Sequence, residues 1–253
     1  MTMTMAPVRE TVTHSHRSAT HNTQPVAGLP MTRNFEVAAR RADGKMHISQ
    51  HKAPAIPLFD DAFFAFSRGS LIPTPNGKIA IEDLQPGDEL ITSTGEVAPV
   101  LWIGTTSFVP ADPKRRLPLT RIMADTFGPG RPLSFLTVGP SGRIAQTPEH
   151  LRGGTHEKGM LSLASDSVDG LNIIEICPPT AIRMFHICLE KHATIDVGGI
   201  EMESFHPGPD ALKNVSGAMQ ALFFSMFPHI ASIEDFGPLV RPRAPAATAA
   251  PAN

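Results

Sequence analysis

The chain has 253 residues, of which 41% are hydrophobic and 18% charged, and its formal net charge at pH 7 is −2. This length is enough for one domain with a substantial core, and the near-neutral charge excludes a strongly basic nucleic-acid binder. The apolar runs at 62–66 and 221–224 are far shorter than the roughly 18 residues of a membrane-spanning helix. No nucleic-acid or membrane partner is therefore expected.

Residues 1–55 are predicted to form a disordered N-terminal arm. They mix Thr, His, Arg, Gln and Asn with scattered apolar residues, a composition that buries too little surface to offset the entropy of ordering. Residues 1–16 lack the basic start and apolar stretch of a secretory signal. A cytoplasmic protein is the default expectation, and a leaderless export route leaves no trace in a sequence.

Residues 60–208 are predicted to form an all-β domain. Frequent prolines and glycines divide this region into pieces that suit strands better than helices. Residues 78–82 alternate polar and apolar, and Gln85–Asp88 places Pro and Gly where a type II turn requires them. Further strands are predicted at 89–93, 97–109, 133–138, 142–146, 171–176, 182–189 and 193–197.

One helix is predicted after this domain, at residues 209–228. Its apolar residues recur at three- and four-residue steps, which predicts an amphipathic helix on the flank of the β-domain, and Pro228 ends it. The remaining residues, 229–253, are rich in Pro and Ala and are expected to form an extended tail.

Several common catalytic motifs are absent from the sequence, including the nucleophile elbow G-x-S-x-G and the phosphate-binding and dinucleotide-binding glycine loops. Six other blocks occur in order instead: AFSRGSLIPTPNG at 65–77, IEDLQPGD at 81–88, VLWIG at 100–104, TPEH at 147–150, MFHICLEKH at 184–192 and ESFHPG at 203–208. This order resembles the Hedgehog/intein, or Hint, domain of the stand-alone bacterial type. That family opens with a pattern similar to C-F-x-x-G-T-L-I-x-T-P-x-G.

The resemblance implies a compact all-β self-processing fold, in which the peptide bond before a nucleophile is rearranged to an ester or thioester. Ser67 is then the nucleophile, because a serine hydroxyl can attack the carbonyl of the preceding residue, Phe66, through a five-membered ring. Thr147 is the candidate to polarise the bond, and His150 the candidate acid for its nitrogen. His192 resembles the histidine of the closing block and is expected to assist proton transfer. The substrate is the protein's own N-terminal segment, and no cofactor is expected.

Two departures from the family pattern limit the predicted reaction. Serine stands where the family usually has cysteine, and its high pKa predicts a slower rearrangement. Glu203-Ser204 stand where inteins carry the His-Asn pair that completes splicing, so full splicing is not expected. The prediction is autocatalytic cleavage or acyl transfer at the Phe66–Ser67 bond, not multiple-turnover catalysis. The alternative is a catalytically degenerate Hint domain that acts as a binding or structural module.

A metal-binding regulator that uses the His-rich N-terminal arm is the third possibility, and a second candidate metal site lies near the end of the β-domain. His186, Cys188 and His192 fall on one side of a predicted strand, but three candidate ligands without a fourth are more typical of core and edge residues. Cys177 and Cys188 are too few for a disulfide framework and are expected to be buried thiols. The N-terminal histidines are expected to be solvated, so no metal is predicted.

Overall fold

The computed structural model of the protein describes residues 31–41, 43–109, 118–146 and 159–245. Strands dominate these ranges, which contain two α-helices, α1 (Pro57–Asp60) and α2 (Gly217–Ser225). The strands are β1 (Thr32–Arg40), β2 (Met46–Pro54), β3 (Phe66–Ser67), β4 (Leu71–Thr74), β5 (Gly77–Ala80), β6 (Glu89–Ile91), β7 (Val97–Phe108), β8 (Leu119–Ile122), β9 (Leu136–Val138), β10 (Arg143–Ala145), β11 (Leu161–Leu163), β12 (Ile173–Ile176), β13 (Ile182–Leu189), β14 (Thr194–Val197) and β15 (Ile200–Glu203). The predicted all-β class is confirmed. Over the described ranges, no helix has the length and apolar character needed to cross a membrane.

The strands form three antiparallel sheets. The largest has nine strands in the order β12-β8-β9-β3-β13-β7-β1-β2, with β6 paired to β7 outside this order. A four-stranded sheet has the order β11-β10-β15-β14, and β4 and β5 form a hairpin. The short strand β3 therefore lies inside the largest sheet, with β9 on one side and β13 on the other.

Part of the predicted disordered arm is folded. β1 pairs along its whole length with β2, and on its other edge with β7. Its apolar residues Phe35, Val37 and Ala39 are all buried and alternate with residues that are more exposed. The expectation of disorder does not hold for residues 32–54, because this two-residue period supplies one buried face of a strand. Residues 1–30 lie outside the described residues.

The predicted C-terminal helix is present but shorter than expected. Asn214 has a left-handed backbone, with φ of 61°, which interrupts the helix before α2 begins. Ser216 caps α2 by accepting a hydrogen bond from the Met219 N–H at 3.4 Å. The end of the helix is fixed by Trp102, whose indole Nε1–H donates to the Met226 carbonyl at 2.6 Å.

The segment after this helix is not the free tail that its composition predicts. Residues 233–236 form a 3-10 turn. Residues 238–244 are called the C-terminal segment here, and their last part, 242–244, pairs with Leu161 of β11. The Leu161 N–H donates to the Pro242 carbonyl and the Ala244 N–H donates to the Leu161 carbonyl, both at 2.9 Å. Residues 246–253 lie outside the described residues.

We expect Phe35→Ala to lower the free energy of unfolding by about 3–5 kcal/mol, because it removes a fully buried ring from β1. Urea denaturation of the full chain measures this. Ile48→Ala on β2 is the control, since Ile48 is 76% exposed and its truncation should change stability by less than about 0.5 kcal/mol. Equal stability of both variants and the parent would show that β1 does not pack as described.

Candidate active site

Ser67, the nucleophile predicted from the sequence, lies at the end of β3. Its neighbour Phe66 pairs with Val138 of β9 and with Phe185 of β13, and Ser67 itself pairs with Met184. The Ser67 residue is only 7% exposed. The Phe66–Ser67 peptide bond is therefore held inside a sheet, with strands on both sides.

The register of the opening motif places another residue at the family's cysteine position. Counted back from Gly69 and from Thr74-Pro75, the cysteine of C-F-x-x-G falls on Ala65, and Ser67 lies two residues later. The Ala65 side chain is a fully buried methyl group. The placement of Ser67 at the cysteine position does not hold in this register, although its role as a nucleophile stays a prediction.

A tight turn at residues 139–142 packs against the start of β3. The Ser141 N–H donates to the Phe64 carbonyl at 3.1 Å, and the Gly139 N–H donates to the Ala65 carbonyl at 2.9 Å. A side chain on Gly139 would overlap the Phe64 carbonyl oxygen. The close approach of these two carbonyls to the turn thus depends on this glycine.

A cavity of about 270 Å³ opens beside this turn. It is lined by residues of α1 and the position just after it, of β10, β13 and β15, and of the C-terminal segment. Its polar wall consists of Asp61, Ser141, Arg143, His186, Glu203, His206 and Arg243. Of the described residues predicted from the sequence, neither Ser67 nor His192 belongs to this wall.

Glu203 is a buried charged residue at the cavity, with two arginines as partners. It is 4% exposed, and the Arg243 Nε–H donates to its Oε1 at 2.9 Å. The Arg143 Nε lies 3.6 Å from its Oε2. A buried carboxylate is tolerated only when cations and hydrogen bonds replace its water, and Glu203 has both.

His192 completes the surroundings of Glu203. Its Nε2 lies 3.0 Å from Glu203 Oε1, and its Nδ1 accepts a hydrogen bond from the Val240 N–H at 2.9 Å. Because Nδ1 accepts, the proton of the neutral ring is on Nε2, the ring nitrogen nearest the carboxylate. His192 therefore connects β15 to the C-terminal segment.

Burial and neighbouring groups set the protonation of His186 and of Glu203 at the cavity. It lowers the pKa of His186 well below its ordinary value, with smaller contributions from neighbouring cationic groups, Arg243 first. Burial alone would raise the pKa of Glu203, but its contacts with His192 and Arg243 outweigh that effect and lower it. At pH 7 the cavity thus holds a neutral imidazole and an ionised carboxylate.

The other residues singled out from the sequence have different positions. Thr147 and His150 lie outside the described residues, as do His14, His16 and His21. Cys188 is buried, which raises the pKa of its thiol, and its Sγ lies 3.8 Å from the Phe205 carbonyl oxygen. Cys177 is exposed, contrary to the expectation of a buried thiol. Within the described ranges, no cluster of three or more His, Cys, Asp or Glu side chains suits a metal ion.

Sequence comparison decides the family. A family model described as the Hint domain matches residues 64–209, which is more than half of the chain. The chain belongs to the Hint-domain family. The resemblance drawn from the ordered blocks is thereby confirmed, and membership places the chain among self-processing domains in general. A comparison with curated proteins finds no match.

Solved intein structures are similar to this Hint domain at low identity. The bacterial intein-like domain from Clostridium thermocellum is 15% identical, with coverage of 56% of this chain and 99% of that chain and a TM-score of 0.41. The MchDnaB-1 intein (N145AA) is 11% identical, covering 56% and 100% of the two chains, with a TM-score of 0.38. The gp41-1 intein is 13% identical, covering 56% and 98%, also with a TM-score of 0.38.

The sequence indicated some site residues and missed others. His186 and Glu203 both belong to the ordered blocks of the sequence, but the blocks do not predict that either lines a catalytic cavity. The sequence makes His186 a candidate metal ligand, and it makes Glu203 evidence against splicing. Ser141, Arg143 and Arg243 carried no motif. Pro140-Ser141-Gly142 between two predicted strands is the one local signal of the turn at β3, and it does not reveal which carbonyl the turn contacts.

We expect Glu203→Gln to lower the free energy of unfolding at pH 7 by about 3 kcal/mol, because it leaves two guanidinium groups without their carboxylate. The folded-state pKa of Glu203 lies below its ordinary value of 4.5. Its contribution to stability is therefore complete above that pH and is lost as the pH falls through the folded-state pKa. The difference between variant and parent should shrink accordingly in urea denaturation at successively lower pH.

Glu201→Gln is the control for this measurement. Glu201 also pairs with an arginine, Arg241, at 2.6 Å, but both side chains are partly exposed, so the expected loss is about 0–1 kcal/mol. An equal loss in the two variants, or a loss at Glu203 that does not change with pH, would contradict the assigned role of the buried carboxylate.

Proposed function

We propose that this Hint domain processes its own chain by acyl transfer at the entry to β3, without full splicing. The observation that carries the proposal is the position of the Phe64 carbonyl, which accepts a hydrogen bond from Ser141, a residue of the cavity wall. A backbone N–H aimed at a carbonyl oxygen stabilises the negative charge that develops there during acyl transfer. The neutral His186 on the same wall is a group that can carry a proton.

One form of this reaction is the N-to-O acyl shift at Phe66–Ser67. The Ser67 hydroxyl attacks the Phe66 carbonyl, an ester forms, the amide C–N bond breaks, and the Ser67 nitrogen takes the proton that the hydroxyl loses. Thr147 and His150 polarise the bond and supply the acid in this proposal, and His192 belongs to the proton-carrying groups through its contact with Glu203. Water then resolves the ester.

The end of β15 supports cleavage or acyl transfer without splicing. Ser204 follows Glu203 where an intein carries asparagine, and a serine has no side-chain amide that could cyclise and cut the chain. Ser204 is fully buried, and its hydroxyl accepts a hydrogen bond from the Ala193 N–H at 3.1 Å. This hydrogen bond fixes the loop before β14, so Ser204 has a structural role there.

Two variants of Ser67 test the acyl shift. Ser67→Cys should accelerate cleavage by dithiothreitol, because a thiolate forms more readily than an alkoxide and gives a thioester. Ser67→Ala should abolish cleavage at this bond. Intact-mass spectrometry of the full chain, before and after incubation with the thiol, measures both effects. Identical behaviour of the parent and the two variants would contradict an acyl shift at Phe66–Ser67.

A non-cleaving Hint domain that serves as a binding or structural module is the second candidate. The observation in its favour is the Ala65 methyl group where the opening pattern has cysteine. His150→Ala separates the two candidates: self-processing should slow by roughly 100-fold or more without its acid, whereas a module should show the same full-length mass in every variant.

A further inference from the structure

We propose that Ser141 is the acyl acceptor of this domain and that the bond it opens is Phe64–Ala65. This rests on the proposed function, self-processing at the entry to β3. It differs from the Ser67 reaction because the nucleophile comes from another part of the chain, the turn between β9 and β10, and not from the residue after the broken bond.

Ser141 has the first feature that such an acceptor needs, which is access to a polarised carbonyl. Its N–H donates to the Phe64 carbonyl oxygen at 3.1 Å. A nucleophile whose own backbone N–H stabilises the developing oxyanion is an arrangement known from serine proteases. Gly139 allows this approach, because any side chain there would overlap the same carbonyl oxygen.

The second feature is a Ser141 hydroxyl that no described residue engages in a hydrogen bond. The residue is 9% exposed, and its buried Oγ has no hydrogen-bond partner among the residues that the structure describes. A buried hydroxyl without a partner is costly, and most native structures avoid it. Two other buried serines show the usual solution: Ser162 donates to the Gln146 carbonyl, and Ser204 accepts from Ala193.

The cavity supplies the route for the proton. Ser141 and His186 both line it, and the Ala65 N–H donates to the Phe185 carbonyl at 3.1 Å. The nitrogen that would leave is thus hydrogen-bonded to the residue that precedes His186 on β13. The His186 ring is neutral and lies 5.5 Å from the Phe66 ring, measured between centroids.

The reaction balances without any group other than water. The Ser141 Oγ bonds to the Phe64 carbonyl carbon, and the bond from that carbon to the Ala65 nitrogen breaks. The nitrogen keeps the electron pair and takes up one proton, and the Ser141 hydroxyl gives up one, with His186 as carrier. Water then hydrolyses the ester and leaves fragments 1–64 and 65–253.

This assignment also accounts for Ala65. When the acceptor comes from the turn, the residue after the broken bond needs no nucleophilic side chain. It needs only to be small, because Ala65 is fully buried beside the turn. A methyl group at the cysteine position is then compatible with activity.

Ser70 is a matched control within the same chain. Its buried Oγ also lacks a hydrogen-bond partner within the described ranges, and its N–H donates to a carbonyl, that of Ser67, at 3.1 Å. Ser70 does not, however, belong to the wall of the described cavity. If an unpaired buried serine were sufficient, Ser70 and Ser141 would behave alike.

The test is intact-mass spectrometry of the full chain before and after hydroxylamine, which cleaves an ester. We expect fragments 1–64 and 65–253 from the parent and from Ser70→Ala, and a loss of at least roughly 1,000-fold in their rate of formation from Ser141→Ala. Ser141→Cys should give the same cut with dithiothreitol. This variant decides the matter if Ser141→Ala fails to fold, which thermal unfolding of each variant reveals.

The outcomes separate this inference from the proposed function. If Ser141→Ala still gives fragments 1–66 and 67–253, Ser141 is not the acyl acceptor, and self-processing remains supported. Mass distinguishes the two cuts, because their N-terminal fragments differ by Ala65 and Phe66. Equal losses in Ser70→Ala and Ser141→Ala overturn the inference as well. A full-length mass in the parent and in both cysteine variants overturns the inference together with the proposed function.

Discussion

The buried carboxylate of Glu203 is the constraint on which the rest of the site depends. An ionised group with so little exposure requires cations, and they come from parts of the chain that are far apart in sequence: Arg143 on β10, and Arg243 beyond α2. His192 contacts the same carboxylate and holds the backbone of Val240. The C-terminal segment is thereby attached to the domain, although it lies outside residues 64–209, to which the family model matches.

Arg143 and Arg243 are occupied by this pairing with Glu203. The cavity wall also carries two groups that are uncharged at pH 7, the Ser141 hydroxyl and the His186 imidazole. In a medium of low polarity, proton transfer between neutral groups avoids the cost of an isolated buried charge. In the acyl transfer proposed above, these two neutral groups are the ones that would exchange the proton.

The sequence predicted most of the β-structure because local signals specify it. β13 has the predicted bounds, and the turn at Gln85–Asp88 has Gly87 at φ 105°, as a type II turn requires. β1 was missed because its three alternating apolar residues stand in a polar region, and only pairing with β7 makes them a buried face. The helix was predicted too long because apolar spacing continues through Asn214, whose left-handed backbone the spacing does not reveal. The site was harder still, since the contact between Ser141 and Phe64 joins residues 77 positions apart.

The pairing of β1 with β7 changes what a cut at β3 accomplishes. Phe35, Phe59 and Phe63 all precede β3, and they share one buried cluster with Trp102 and Phe227, which follow it. Breaking the backbone between these groups removes no packing contact. Self-processing would turn one chain into a tight heterodimer of its own two fragments, and the fragments would part only at a rate set by unfolding and to an extent set by concentration. In such a protein, cleavage does not by itself release the N-terminal fragment. Release follows only when β1 separates from β7, so it comes later than the chemical step.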